Sequence, residues 1–412
     1  MALAFGPMGP SLWSHNTVSA SSTRDIGLAS RRLRQWFLRS LDSPIDLALL
    51  SKFNPDTQGD MSLVTSVIIR HMSRIRSLRS VVFDTFATLF PLNGDLASLQ
   101  VLDVHTSDRS SGDASSQGTP ILLSGSAPNL SRFSLNISPT SLPFDLLQVF
   151  TELSTLAAVS SLTITVEDAP PTIFQALESF VKLQYLNWTQ SEDEDKILAP
   201  SEAPAISLPV LRTLLVTGSS ALKGLAAIQG PVLENIAIRG EVFAPERVEL
   251  TKKYAQFLTK GQTCPRLKTL RVSSPLFIGN IMISNAMLHA LYWEGPALSL
   301  ARHFKTIADW VSRSPSTHRI NPTLEFLVVH CLDIESAATE ILGSLADHME
   351  RCVIAIDTGA SFHDESYEHF KFKLGISPEL ARSSSRFMEL LTGYPTLIVE
   401  TSEKYDLVFE QH

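Results

Sequence analysis

SLPVLRTLLVTGSSALKGLAAIQGPVLENIAIRG, residues 207–240, contains one short pattern twice. Leu211-x-x-Leu214-x-Val216 is followed by Leu233-x-x-Ile236-x-Ile238, and a proline introduces each copy, Pro209 and Pro231. A compact apolar run, Leu222 to Ile228, lies between them. Self-similarity of this kind marks a solenoid, in which each unit buries its apolar face only against its neighbours.

Working outward, the pattern recurs along most of the chain. Upstream copies read Leu78-x-x-Val81-x-Phe83, Leu99-x-x-Leu102-x-Val104, Leu130-x-x-Phe133-x-Leu135, Val159-x-x-Leu162-x-Ile164 and Leu183-x-x-Leu186-x-Trp188. Downstream copies read Leu267-x-x-Leu270-x-Val272, Leu288-x-x-Leu291-x-Trp293 and Leu324-x-x-Leu327-x-Val329. First positions fall 21 to 36 residues apart, about 27 on average, near the roughly 20 to 29 of leucine-rich repeats. Most connections read as helices, with apolar stripes such as Ile173, Ala176, Leu177 and Phe180, or Leu250, Tyr254, Phe257 and Leu258. Leu300 to Val311 and Ile334 to Leu345 repeat that spacing. One strand and one helix per unit require a parallel sheet. The expected fold is therefore α/β, an irregular leucine-rich-repeat-like horseshoe with the parallel sheet on its concave face and helices outside.

Three regions follow. Residues 1–60 form a lead-in, extended or turn-rich to about residue 29, with a helix over 31–40 capped by Ser30. That helix places Leu33, Trp36, Phe37 and Leu41 on one face, and a strand covers 45–49. The array covers 61–350, with polar insertions at 107–120 and 191–205. An atypical cap covers 351–412, with strands expected at 353–356 and 396–399.

The 412 residues are 44% hydrophobic and 18% charged, enough to bury a core, and the net charge is −8 with pI near 5.8. That balance argues against generic nucleic-acid or anionic-membrane binding. Cys264, Cys331 and Cys352 form no framework and no C-x-x-C, so a reducing, intracellular compartment is expected. The amino terminus lacks a signal-peptide pattern. Residues 272–293 carry no formal charge, but Pro275, Gly279, Asn280, Asn285 and His289 interrupt them, and a buried repeat is the better reading than a membrane span.

Catalytic motifs are absent: no G-x-S-x-G, no H-E-x-x-H, no P-loop. His363, Asp364, Glu365 and His369 read as a solvated connection, so no metal and no cofactor is expected. Ser191, followed by four acids, is a candidate for phosphorylation, and sequons fall at Asn129, Asn136 and Asn187. What remains is the open side of the strands. There the alternation places Asp103, His105, Arg132, Asn136, Tyr185 and Asn187, then Arg239, Arg271, Tyr292, Phe326 and His330. Tyrosine, phenylalanine and arginine on a polar background suit a protein-binding face.

Pro10-Ser-Leu-Trp-Ser14, the helix around Leu33-Arg-Gln-Trp36, and Ser43-Pro-Ile-Asp-Leu47 resemble the segment after the F-box in F-box/leucine-rich-repeat-like proteins, numerous in mushroom-forming fungi. Ala127-Pro-Asn-Leu130, Leu208-Pro-Val-Leu211 and Cys264-Pro-Arg-Leu267 are similar to the phrases that open their repeats. The resemblance implies a substrate receptor whose F-box docks on the adaptor of a cullin-type ubiquitin ligase. No F-box precedes Pro10, so that contact is not carried over; it is expected only where an F-box lies upstream. Where the family usually places Asn or Cys, four copies hold Ser107, Ser138, Ser191 and Ser219, which predicts an uneven curve. The expected function is non-enzymatic protein recognition. An α/β enzyme with a dispersed active site and a degenerate paralogue without a partner are the alternatives.

Overall fold

Several strands are entered through a tight turn written in the sequence. The Leu99 N–H donates to Leu96 O at 2.9 Å, Leu130 to Ala127 at 3.0 Å, Leu183 to Phe180 at 3.0 Å and Leu233 to Gly230 at 3.0 Å. Pro128 and Pro231 sit just after the accepting residue, where the fixed φ of proline favours the turn. The X-Pro-x-Leu phrases are thus turn sequences. Gly230 suits this place because a Cβ there would stand 3.1 Å from the Leu233 Cβ.

The ladder to the next strand begins in the same turn. Gln100 O accepts from the N–H groups of both Ser131 and Arg132, at 3.0 Å each, and Ser131 O accepts from Ser160 and Ser161. Ser160 O does the same for Gln184 and Tyr185. Pairing that starts before the strand fixes its register, and a one-residue slip would turn every apolar side chain outward.

The computed structural model describes residues 15–20, 23–51, 62–82, 91–106, 122–137, 146–166, 176–190, 206–218, 228–239, 265–272, 288–295, 301–302, 305, 326–331, 343–344, 346–348, 350, 371–375, 385–386, 389, 392 and 398–399. The chain forms two compact units, Met1–Leu208 and Pro209–His412.

In the first unit, β1 (His15–Ala20), β2 (Ile45–Ser51), β3 (Ile75–Val82), β4 (Val101–Thr106), β5 (Arg132–Ile137), β6 (Ser161–Val166) and β7 (Tyr185–Gln190) pair in chain order, all parallel. Leu47, Leu78, Leu102, Phe133, Leu162 and Leu186 stand in register as one buried row. Beside it runs a second row, Leu49, Ser80, Val104, Leu135, Ile164 and Trp188. A short strand, β8 (Ile206–Ser207), ends the unit.

The register corrects one expected copy. In β3 the unit is Ile75-x-x-Leu78-x-Ser80, three residues earlier than Leu78-x-x-Val81-x-Phe83, because Leu78 pairs with Leu102. Ser80 occupies an apolar position and hides the pattern; its Oγ is buried without a hydrogen-bond partner among the described residues.

Described residues of the helices expected at 300–311 and 334–345 are helical, at 301–302, 305 and 343–344. α1 (Thr23–Arg39), α2 (Ser62–Arg70), a 3-10 turn (Met72–Arg74), α3 (Leu146–Val149) and α4 (Leu153–Ala158) are the named helices among the described residues. In the connections between β3 and β6 runs a second, minimal parallel ladder, with Leu92 paired to Leu123 and Leu123 to Phe150. Phe150 meets Phe133 edge-on at 4.9 Å, so this ladder faces the buried row across the core. Gly125 lies so close that a Cβ would be 3.0 Å from Gly94 O.

α1 starts at Thr23, well before the expected 31, and Ser30 is inside it, not a cap; its hydroxyl donates to Leu63 O of α2 at 3.4 Å. Leu33, Trp36 and Phe37 are buried as expected, but Leu41 lies past the helix end with φ 48° and is 62% exposed. Arg74 closes this end. Its guanidinium donates to Phe37 O at 3.3 Å, Ser40 Oγ at 2.7 Å and Ser43 O at 3.2 Å, meeting carbonyls that the helix leaves free.

The second unit repeats the parallel order. β9 (Thr213–Thr217), β11 (Asn235–Arg239), β12 (Thr269–Val272), β13 (Ala290–Gly295), β14 (Phe326–Cys331), β15 (Lys371–Gly375) and β16 (Ile398–Val399) pair in turn; β10 (Ile228–Gln229) is a short strand outside this ladder. Leu214, Ile236, Leu270, Leu291, Leu327 and Phe372 align as the row. The uncharged stretch begins at the last residue of β12 and ends within β13, and among the described residues no helix is long and apolar enough to cross a membrane. β15 was not expected; residues 353–356, the insertions and the helix at 250–258 lie outside the described residues.

Two outcomes are expected. Leu162→Ala, at the centre of the buried row, lowers unfolding free energy by about 3 kcal/mol in urea titration. His71 stacks on Phe37 at 4.2 Å, and its pKa is held below 6.5, first by burial and then by Arg74 and Arg70. The unfolded chain therefore binds the proton more readily, and stability present above pH 6.5 is lost as pH falls through the lowered value. His71→Phe keeps the ring and flattens the acid side of the melting-temperature profile.

Candidate functional site

Alternation along β4 to β7 sends every second side chain away from the core, and adjacent parallel strands lie about 4.8 Å apart. Register then assembles rows on the open face of the first unit. One row is Asp46, Ser77, Val101, Arg132, Ser161 and Tyr185; the next is Arg79, Asp103, Ser134, Thr163 and Asn187. A third holds His105, Asn136, Thr165 and Thr189. Six of the expected contact residues, Asp103, His105, Arg132, Asn136, Tyr185 and Asn187, therefore share one patch. Arg132 is exposed and the other five are half-buried.

Two carboxylates organise the charges. Asp103 Oδ1 is buried and stands 3.1 Å from His105 Nε2, in a geometry that makes no hydrogen bond, while Arg79 Nε is 4.0 Å from Oδ2. Asp46 is held more tightly. Arg76 Nε donates to its Oδ1 at 2.9 Å, the Arg76 Nη2 pairs with Oδ2, and His15 Nδ1 approaches Oδ2 at 2.7 Å. A bulge between β2 and β3 makes Arg76 the extra residue opposite Ile45 and Asp46 and brings its side chain to this carboxylate. The hydrogen bond that Arg76 donates to Asp46 raises the Arg76 pKa.

His15, Asp46, Arg76 and Arg79 were missed in the sequence. Alternation in Ile45-Asp-Leu-Ala-Leu49 was enough to place Asp46 on the open side, but the bulge that delivers Arg76 leaves no pattern.

The second unit corrects the rest of the expected face. Arg271 was expected on an open surface, yet it is 6% exposed, and its row neighbours Leu215 and Ala237 are buried too. β9, β11 and β12 are buried on both faces, as their unbroken apolar runs, Leu214 to Val216 and Ile236 to Ile238, suit. Arg239 and Tyr292 are half-buried. Phe326 and His330 belong to β14, which pairs with β13, and their side chains lie outside the described residues.

Chemically, the first-unit patch offers guanidinium, carboxylate, amide, hydroxyl and phenol groups in an in-register array. Among the described residues no three His, Cys, Asp or Glu side chains gather as a metal site. Residues 363–369 and Ser191 lie outside the described residues.

No family model matches the chain, and no curated protein does. Among solved structures it is similar to a Bacteroides fragilis protein from a structural-genomics consortium, at 11% identity. That match covers 88% of this chain and 74% of the other, with a TM-score of 0.32. At that score the likeness supports no inference about fold or function.

Asp46 generates a prediction. Asp46→Ala leaves Arg76 and His15 facing each other without an anion and costs about 1 kcal/mol, since the pair is partly solvated. Chemical denaturation measures it, and high salt shrinks the difference.

Proposed function

We propose that this chain is a non-enzymatic recognition protein that binds another protein across the open strand face of its Met1–Leu208 unit. The observation that carries the reading is the in-register gathering of Asp103, His105, Arg132, Asn136, Tyr185 and Asn187 on consecutive strands. Hydrogen-bonding groups of both kinds, with arginine and tyrosine among them, match the composition of protein interfaces. Held by rigid strands, they lose little side-chain freedom on binding.

In its finer form the reading makes each unit a stretch of leucine-rich-repeat-like solenoid. The matched registers, the repeated entry turn and the second ladder at Leu92, Leu123 and Phe150 support it. The resemblance to F-box substrate receptors adds an intracellular setting and delivery to a ubiquitin ligase.

Affinity capture from extracts, wild type against Arg132→Glu/Tyr185→Ala/Asn187→Ala, tests the reading. Expected is a defined set of partners that the triple variant loses at least tenfold while its circular dichroism is unchanged. An identical partner set in both, or none with folded wild type, contradicts it. Recovery of the ligase adaptor tests the receptor role separately.

A further inference from the structure

We infer that the solvent face of α1 is a second docking surface, for an acidic protein segment carrying leucine-like anchors. α1 holds five arginines, Arg24, Arg31, Arg32, Arg34 and Arg39, no lysine and one acid, in a protein of net charge −8. Its apolar side is used by the core, where Ile26, Leu33, Trp36 and Phe37 are buried, and it packs on β1 and α2. The opposite side presents Arg31, Arg32 and Arg34, all exposed, and none makes an ion pair among the described residues.

Two leucines lie on that same cationic face, Leu38 at 73% exposure and Leu28 at 43%. At 100° per residue, Leu28, Arg31, Gln35 and Leu38 fall within one quadrant of the helix, with Arg32 and Arg34 on its flanks. The neighbouring helix α2 adds exposed Ile69 and Arg70. Exposed apolar anchors framed by arginine reproduce the core and rim of an interface in which the partner supplies the carboxylates. Arginine's planar fork meets a carboxylate through two parallel hydrogen bonds, which a lysine cannot do.

Phosphate-rich surfaces fit less well. Nucleic acid has no use for the two leucines. A lipid surface needs a broad apolar face to insert, and here that face is already buried, leaving two separate leucines about 15 Å apart along the axis. About four residues of extended chain span that distance and, being even in number, keep both anchors on one side. The complementary segment is thus Leu-acidic-acidic-acidic-Leu.

The test uses the full chain and a fluorescein-labelled peptide, Leu-Glu-Asp-Glu-Leu between Gly-Ser flanks, read by anisotropy. Saturable binding is expected, weakened at least tenfold by Arg31→Gln/Arg34→Gln or by Leu38→Ser, and weakened by salt. A control peptide of the same composition with its leucines adjacent is expected to bind several-fold more weakly. Melting temperatures within a degree or so of wild type confirm that these exposed substitutions leave the fold intact. No binding of the peptide, equal binding by the variants, or tighter binding to phosphatidylcholine/phosphatidylserine vesicles or single-stranded DNA overturns the inference. The strand-face variants leave peptide binding unchanged, so this test and that of the open strand face fail independently.

Discussion

The structure depends on one constraint: a strand in this chain can bury its apolar side chains only if its neighbour is in register. Leu47, Leu78, Leu102, Phe133, Leu162 and Leu186 come from segments separated by some two dozen residues or more, yet they form one continuous buried row. Shared carbonyls at the strand entrances, such as Gln100 O receiving two N–H groups, hold that alignment. The open face inherits the same order. Its polar rows are regular because the buried rows are.

The two units use this constraint differently. Strands β6 and β7 alternate buried and half-exposed residues, so the first unit keeps one polar face. In β9, β11 and β12 both faces are buried, and even Arg271 is enclosed. A binding reading therefore rests on the first unit alone. There the carboxylates of Asp46 and Asp103, each flanked by an arginine and a histidine, give the face local charge.

Much of this was legible in the residues. Nine of the ten L-x-x-L-x-φ segments (φ apolar) lie in parallel strands with their second positions in register. The tenth was displaced because Ser80 sits where an apolar residue belongs, and period alone then favoured the wrong leucine. β15 escaped because Lys371-Phe-Lys-Leu-Gly375 carries the strand period without the leucine that opens a repeat. α1 was started too late because Ser30 has the chemistry of a cap, whereas tertiary packing uses its hydroxyl to reach Leu63. The site was half legible for a similar reason. Alternation tells which way a side chain points, but not whether that side is covered, and Arg271 is the residue where the difference shows.

The most direct measurement is oxidative cross-linking of cysteine pairs across β5 and β6. Ser134 and Thr163 are register partners on the open face, at the spacing a disulfide can bridge. The pair Ser134→Cys/Thr163→Cys is predicted to close rapidly in the folded protein, while Ser134→Cys/Thr165→Cys, displaced by two residues, closes far more slowly. Equal rates for the two pairs, or faster closure of the displaced one, would contradict the aligned rows on which both the core and the binding face are built.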